Sequence, residues 1–305
     1  VIDPAGTVTG GDPGLSGASH SGSHGMTPAG EPTRAMLGRL ARALGIVIAF
    51  WWLATGLIVA QQRDGVTRAL AALGSVGLAL VGIRLAHRAR HDATAGGATR
   101  SFLGGALLWA WAQVAFYGGW MVGPVTALPG GQAPTWALAV AAVRSTAYAE
   151  VAAAFALAAA ILATRDEPPA GASRGLEGSV APGEATNRTA IWTVLAFWIT
   201  HETAKLNVFL GVANPGSRFL PDRLAFLRAF FGPPANSPLL VVTVVALAWA
   251  TGWLCVRAWR ATRPFDAQRA ALLATLVGLA TLEHALLALP ADVPLWDVFL
   301  RARGY

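Results

Sequence analysis

Beyond residue 43 the chain is a succession of long apolar runs, separated by clusters of Arg, Pro, Gly and polar residues. Seven such runs can be marked, at 44–60, 69–86, 102–125, 136–163, 190–210, 238–259 and 270–289. Each is close to the roughly 20 residues that a helix needs to cross about 30 Å of hydrocarbon, and each is too long for a barrel strand. The pattern predicts an all-α, polytopic membrane bundle of seven spans over residues 44–300.

Two connections carry information of their own. The stretch 164–189, with Pro168, Pro169, Gly171, Gly178 and Pro182, reads as a flexible linker between a four-helix half and a three-helix half. After the fifth run, Leu220, Leu224, Leu227 and Phe231 recur at helical spacing, with Asp222, Arg223 and Arg228 off the stripe. Pro221 suits a first helical turn, and Pro233-Pro234 ends the element. This predicts a short amphipathic helix over 220–231, lying at the interface as a lid on the bundle. Residues 1–43 are rich in Gly, Ser, Pro and Thr and have no hydrophobic period, so a disordered tail is expected there. His20 and His24 lie within it and read as spacer. No short apolar stretch with a small-residue cleavage site opens the tail, which is therefore not read as a secretory signal.

Composition agrees with the pattern: 54% of residues are hydrophobic and only 13% charged. Soluble globular chains carry roughly 25% charged residues, so an ordinary cytosolic enzyme is excluded. The formal charge is +7, yet the arginines are scattered between the apolar runs rather than interleaved with aromatics. They read as topology signals and lipid contacts, not as a nucleic-acid surface. With seven spans, 14 arginines fall on the side of the tail and 7 on the other. The N-terminus is thus expected in the cytoplasm. Cys255, the single cysteine, excludes a disulfide framework within the chain. Glycines at positions 74, 77 and 82, and at 119 and 123, are read as sites of close helix approach.

Ionisable groups inside a bilayer cost several kcal/mol unless paired, so each is a functional candidate. Three runs contain them: Arg144 and Glu150 in the fourth, His201, Glu202, Lys205 and Asn207 in the fifth, and Glu283 and His284 in the seventh. Lys205 follows Glu202 by three residues and His201 by four, within reach of both on one helix face. Three readings stay open. One is a neutralised cluster that fixes helix register. A second is a di-metal carboxylate site, although adjacent His-Glu residues diverge by about 100° on a helix and rarely share one metal. The third is axial ligation of a magnesium tetrapyrrole by His284 or, secondarily, His201, against flat surfaces such as Trp51, Trp52, Trp109, Trp111, Trp192 and Trp198. No phosphate-loop, nucleophile-elbow or zinc-finger spacing is present.

The stretch Ala204-Lys205-Leu206-Asn207-Val208-Phe209-Leu210-Gly211-Val212, continuing through Phe219-Leu220-Pro221, closely resembles the photosynthetic complex assembly protein 2 family, the puhE product of phototrophic bacteria. Supporting stretches are Trp51-Trp52 through Thr55-Gly56, Trp109-Ala110-Trp111 through Gly123-Pro124, and Leu272 through Leu282-Glu283-His284 to Leu289-Pro290. The resemblance implies a multi-pass protein of the bacterial inner or intracytoplasmic membrane. It would support assembly of reaction centre and antenna polypeptides, together with other assembly factors and in connection with bacteriochlorophyll supply. No catalytic activity is implied. Members often have His-Glu pairs where this chain has Ala112-Gln113 and Ala149-Glu150, whereas its own pair is His201-Glu202. The expectation is therefore a non-enzymatic assembly factor. It would hold a bacteriochlorophyll or precursor transiently at His284 or His201, with Glu150, Glu202, Lys205, Asn207 and Glu283 bracing a polar site. The alternatives are a metal-dependent membrane enzyme of tetrapyrrole metabolism and a permanent structural subunit of the photosystem.

Overall fold

The computed structural model describes residues 31–125, 135–165, 186–290 and Arg301. Among these there are helices and turns but no strand. The helices are α1 (Glu31–Ala60), α2 (Gly65–Ala89), α3 (Ala95–Tyr117), α4 (Thr135–Ser145), α5 (Ala147–Ala163), α6 (Thr189–Leu210), α7 (Pro238–Arg260) and α8 (Pro264–Leu287). Sequence-coded caps set several starts. Asp64 accepts the Thr67 amide at 2.7 Å to open α2, Thr94 accepts the Gly97 amide at 3.0 Å to open α3, and prolines occupy the first turns of α7 and α8. Helix α1 begins at Glu31, so the tail expected through residue 43 is helical over its last residues.

Among the described residues four helices are long and apolar enough to cross a membrane: Met36–Ala60 within α1, then α2, α7 and α8. The pair α4–α5, bent by 56°, makes a fifth if it counts as one span. Seven were expected. The third and fifth runs do form α3 and α6, but these fall short of membrane-span apolarity, and their place in the bundle explains it. Helix α3 packs against α1, α2, α5, α6 and α8, and α6 against α3, α5, α7 and α8. Helix α3 is largely enclosed and carries Gly, Ser and Thr, whereas α6 keeps Trp192, Ile199 and Leu206 exposed along one face and carries its Thr and charged residues on the others.

Close approach depends on a few glycines. A Cβ on Gly104 would stand 2.8 Å from the Gly82 carbonyl oxygen and 2.9 Å from the Ala86 nitrogen, so α2 and α3 touch backbone to backbone. Gly74 and Gly77 play no such part, because nothing lies within 4 Å of a Cβ built on either. Gly119 and Gly123 lie beyond the end of α3 at φ 82° and 149° and serve the turn rather than a helix contact.

The run 136–163, expected as one helix, is broken at Thr146. The reason lies outside the run. The Val122 carbonyl accepts from the Tyr148 amide at 3.1 Å and the Ala149 amide at 3.4 Å, capping α5 where an unbroken helix would use its own carbonyls. Over 220–231 the chain forms a 3-10 helix at Asp222–Phe230, preceded by another at Ser217–Phe219, instead of an α-helix. With three residues per turn, the buried stripe is Leu224, Leu227 and Phe230, and Phe231 falls off it. These three pack on Phe116, Val122 and Ala141, closing one end of the bundle.

Most of the expected linker, residues 166–185, lies outside the described residues. Its final part is pinned. Asn187, 1% exposed, donates through Nδ2 to the carbonyls of Ala89 at 3.1 Å and Gly97 at 3.0 Å, and Thr189 Oγ1 donates to its Oδ1 at 2.7 Å. One amide thus ties the start of α6 to the α2–α3 turn.

Candidate functional site

The break at Thr146 sets Glu150 in the first turn of α5, facing α6. There the Trp198 indole donates to Glu150 Oε2 at 2.9 Å. Lys205 Nζ forms ion pairs with Glu150 and, at 2.7 Å, with Glu202 Oε1. One ammonium is therefore shared by two half-buried carboxylates from two helices. Among the described residues no three His, Cys, Asp or Glu side chains converge as metal ligands would.

His284 and Asn207 are part of the helix packing. His284 is 2% exposed. Its Nδ1 donates to the Ala280 carbonyl at 2.8 Å, and its Nε2 lies 3.1 Å from Thr203 Oγ1, whose hydroxyl also reaches the Thr200 carbonyl at 2.9 Å. Asn207, fully buried, donates to the Thr203 carbonyl and to Thr243 Oγ1, both at 2.9 Å. Together they join α6 to α8 and to α7.

Glu283 points away from this packing, into a cleft of about 210 Å³ between α1, α3 and α6. Its carboxylate, at the exposed rim, accepts the Trp51 indole N–H. His201 lines the same cleft, its ring edge-on to Trp109 at 5.6 Å and to Phe116 at 6.4 Å. Among the described residues it makes no hydrogen bond. The site residues expected together are thus divided: Glu150, Glu202 and Lys205 form one group, His284 and Asn207 a second, and His201 with Glu283 a third. His284, expected as the first tetrapyrrole ligand, lies 2% exposed in the packing of α6 on α8.

Sequence reasoning passed over Thr55, Gln113 and Tyr117 as site residues, although all three line the cleft. A signal was present: Trp51, Thr55 and Val59 on α1, and Trp109, Gln113 and Tyr117 on α3, recur at four-residue spacing along one face.

A family profile described as "Protein of unknown function (DUF3623)" matches residues 38–173 and 178–304. The chain belongs to the DUF3623 family. The matched segments contain the cleft, the ion-paired group and the His284 packing site of this DUF3623 protein. It is also 28% identical over 256 residues to the "Uncharacterized 30.4 kDa protein in puhA 5'region" of Rhodobacter capsulatus, covering 82% of this chain and 87% of that one. No solved structure matches.

Proposed function

We propose that this DUF3623 protein is a membrane-embedded assembly factor for bacterial photosynthetic complexes, acting by binding rather than by turnover. The observation that carries the proposal is the match, over most of both chains, to a protein placed by its description in the puhA 5′ region. That is the puh neighbourhood to which the resemblance around Lys205 and Asn207 also points. The polytopic helical body supports it, since a factor that meets membrane polypeptides before they assemble has to share their bilayer.

In this reading seven segments cross the inner membrane: α1, α2, α3, the bent pair α4–α5, α6, α7 and α8. At 23 and 22 residues, α3 and α6 are about 33 to 35 Å long, enough to span; neighbours enclose α3, while α6 turns Trp192, Ile199 and Leu206 outward. The arginine asymmetry then puts the N-terminus in the cytoplasm. Bacteriochlorophyll travels with the client polypeptides and meets this chain only transiently, at its surface.

The test is purification of the tagged protein from membranes at the onset of photosystem synthesis. Newly made reaction-centre or antenna polypeptides should co-purify below one copy per chain and be absent once the complexes mature. The protein freed of them should be colourless. One copy per reaction centre after stringent purification would make it a permanent subunit instead. Stoichiometric iron or manganese would favour a metal enzyme of tetrapyrrole metabolism.

A further inference from the structure

The cleft between α1, α3 and α6 has a layered lining. Trp109 lies parallel to Phe197, with ring centroids 5.8 Å apart and 7° between planes, and Phe50 tilts against Phe197 at 6.2 Å. These three rings form an aromatic floor. Helices α3 and α6 run in the same direction here, since Trp109 meets Phe197 while Phe116 meets His201. One turn beyond the floor therefore come Gln113 on α3 and His201 on α6, and a further turn along α3 comes Tyr117. Thr55 faces them from α1.

Among the described residues, none of the side chains of Thr55, Gln113, Tyr117 and His201 has a hydrogen-bond partner. Thr200, in the same wall, shows the ordinary solution by donating to the Ala196 carbonyl at 2.9 Å and the Phe197 carbonyl at 3.1 Å. These four half-buried groups open onto the cleft with hydrogen-bonding capacity left for a ligand there. All four can donate, and they approach from three helices.

We infer that the cleft binds the head group of a lipid-soluble quinone. Its volume suits one substituted ring. The aromatic floor takes the face of such a ring, and donors on α1, α3 and α6 suit carbonyl oxygens on opposite sides of it. Glu283 at the rim, an acceptor already holding the Trp51 indole, selects against acidic ligands. The surrounding helices admit a ligand that partitions into lipid. This inference is independent of the assembly role.

The test is calorimetric titration of the purified full-length protein, in mild detergent, with decylubiquinone and separately with the same ring lacking both carbonyl groups. Decylubiquinone should bind saturably at one per chain, at least about tenfold more tightly than the carbonyl-free probe. Gln113→Leu and His201→Leu should each weaken it about five- to tenfold, the loss of one hydrogen bond to a buried ligand. Trp249→Leu, on the outward face of α7, should leave it unchanged. Circular dichroism and monodisperse elution establish folding, and if either polar variant fails to fold, Tyr117→Phe removes a single oxygen and decides the matter. Equal affinity for the two probes, or unchanged affinity in the folded polar variants, would overturn the inference.

Discussion

Helices α6 and α7 have nearly the same length, 22 and 23 residues, and opposite surroundings. Only 6% of the spanning window of α7 is buried in the protein, and Val241, Val245 and Trp249 stand more than 60% exposed along it. Helix α6 faces helices on several sides and carries His201, Glu202, Lys205 and Asn207. The arrangement is the reverse of a soluble protein: apolar side chains mark where a helix meets lipid, and polar ones mark where it meets other helices. The ionic groups of α6 are paired with one another and with Glu150, and the Asn207 amide nitrogen is satisfied, whereas His201 faces the cleft without a hydrogen bond among the described residues. That exception is what makes the cleft a candidate for binding.

Removing Lys205 should break the contrast most severely. Lys205→Met leaves Glu150 and Glu202 facing each other without their cation, and should destabilise the bundle by about 3 kcal/mol, the lower end for half-buried partners. Unfolding in mixed detergent measures this. Adding Glu150→Gln and Glu202→Gln should restore most of the loss, whereas a Lys205→Met protein as stable as the parent would deny the group any structural role. A smaller effect sharpens the comparison within one helix pair. Gly104→Val, against the Gly82 carbonyl, should cost about 2 kcal/mol by forcing α2 and α3 apart. Gly74→Val, on the open face of α2, should change stability by less than about 0.5 kcal/mol. Equal effects would mean that the two faces of α2 are not distinct.

The smallest effect belongs to the loops outside the membrane. Hydrogen bonds from the Thr94 side chain and backbone hold the Asp92 carboxyl below its ordinary value of 3.8, and the Thr67 amide does the same for Asp64. Because both values are lowered in the folded state, their stabilisation is complete above the ordinary aspartate range. It is lost as the pH falls through the folded values. Acid titration followed by amide exchange at the starts of α2 and α3 should show modest loosening there, and Asp92→Asn should flatten the α3 response.

Several of these features could be read from the sequence and others could not, for definite reasons. Apolar runs located nearly every helix, because bilayer-length segments are coded locally. The break at Thr146 was hidden, because 136–163 is apolar throughout and the capping Val122 carbonyl comes from another segment. The 3-10 form of Asp222–Phe230 was hidden because its buried stripe shares Leu224 and Leu227 with an α-helical one, differing in Phe230 for Phe231 and in Leu220, which is only partly buried. Asn187 was indistinguishable by composition from its polar neighbours; three carbonyls from the α2–α3 turn give it its role. His201 and His284 looked alike as candidate ligands. Thr203, two residues from His201 and so on the opposite face of α6, lies against Nε2 of His284 and leaves His201 to the cleft, and only the packing of α6 on α8 reveals it. Helices α3 and α6 fall below membrane-span apolarity because they turn Gly, Thr and charged residues toward neighbouring helices.

In the proposed role, photosystem assembly depends on the polar interior of this protein and not on its outer face. The most direct measurement is the near-infrared absorption of membranes from a strain lacking the chain, complemented with the parent, Lys205→Met or Trp249→Leu protein at matched expression. The account predicts strongly reduced reaction-centre and antenna bands without the chain, full recovery with the parent and Trp249→Leu, and little recovery with Lys205→Met. Unchanged bands in the strain lacking the chain, or full recovery with Lys205→Met, would contradict it.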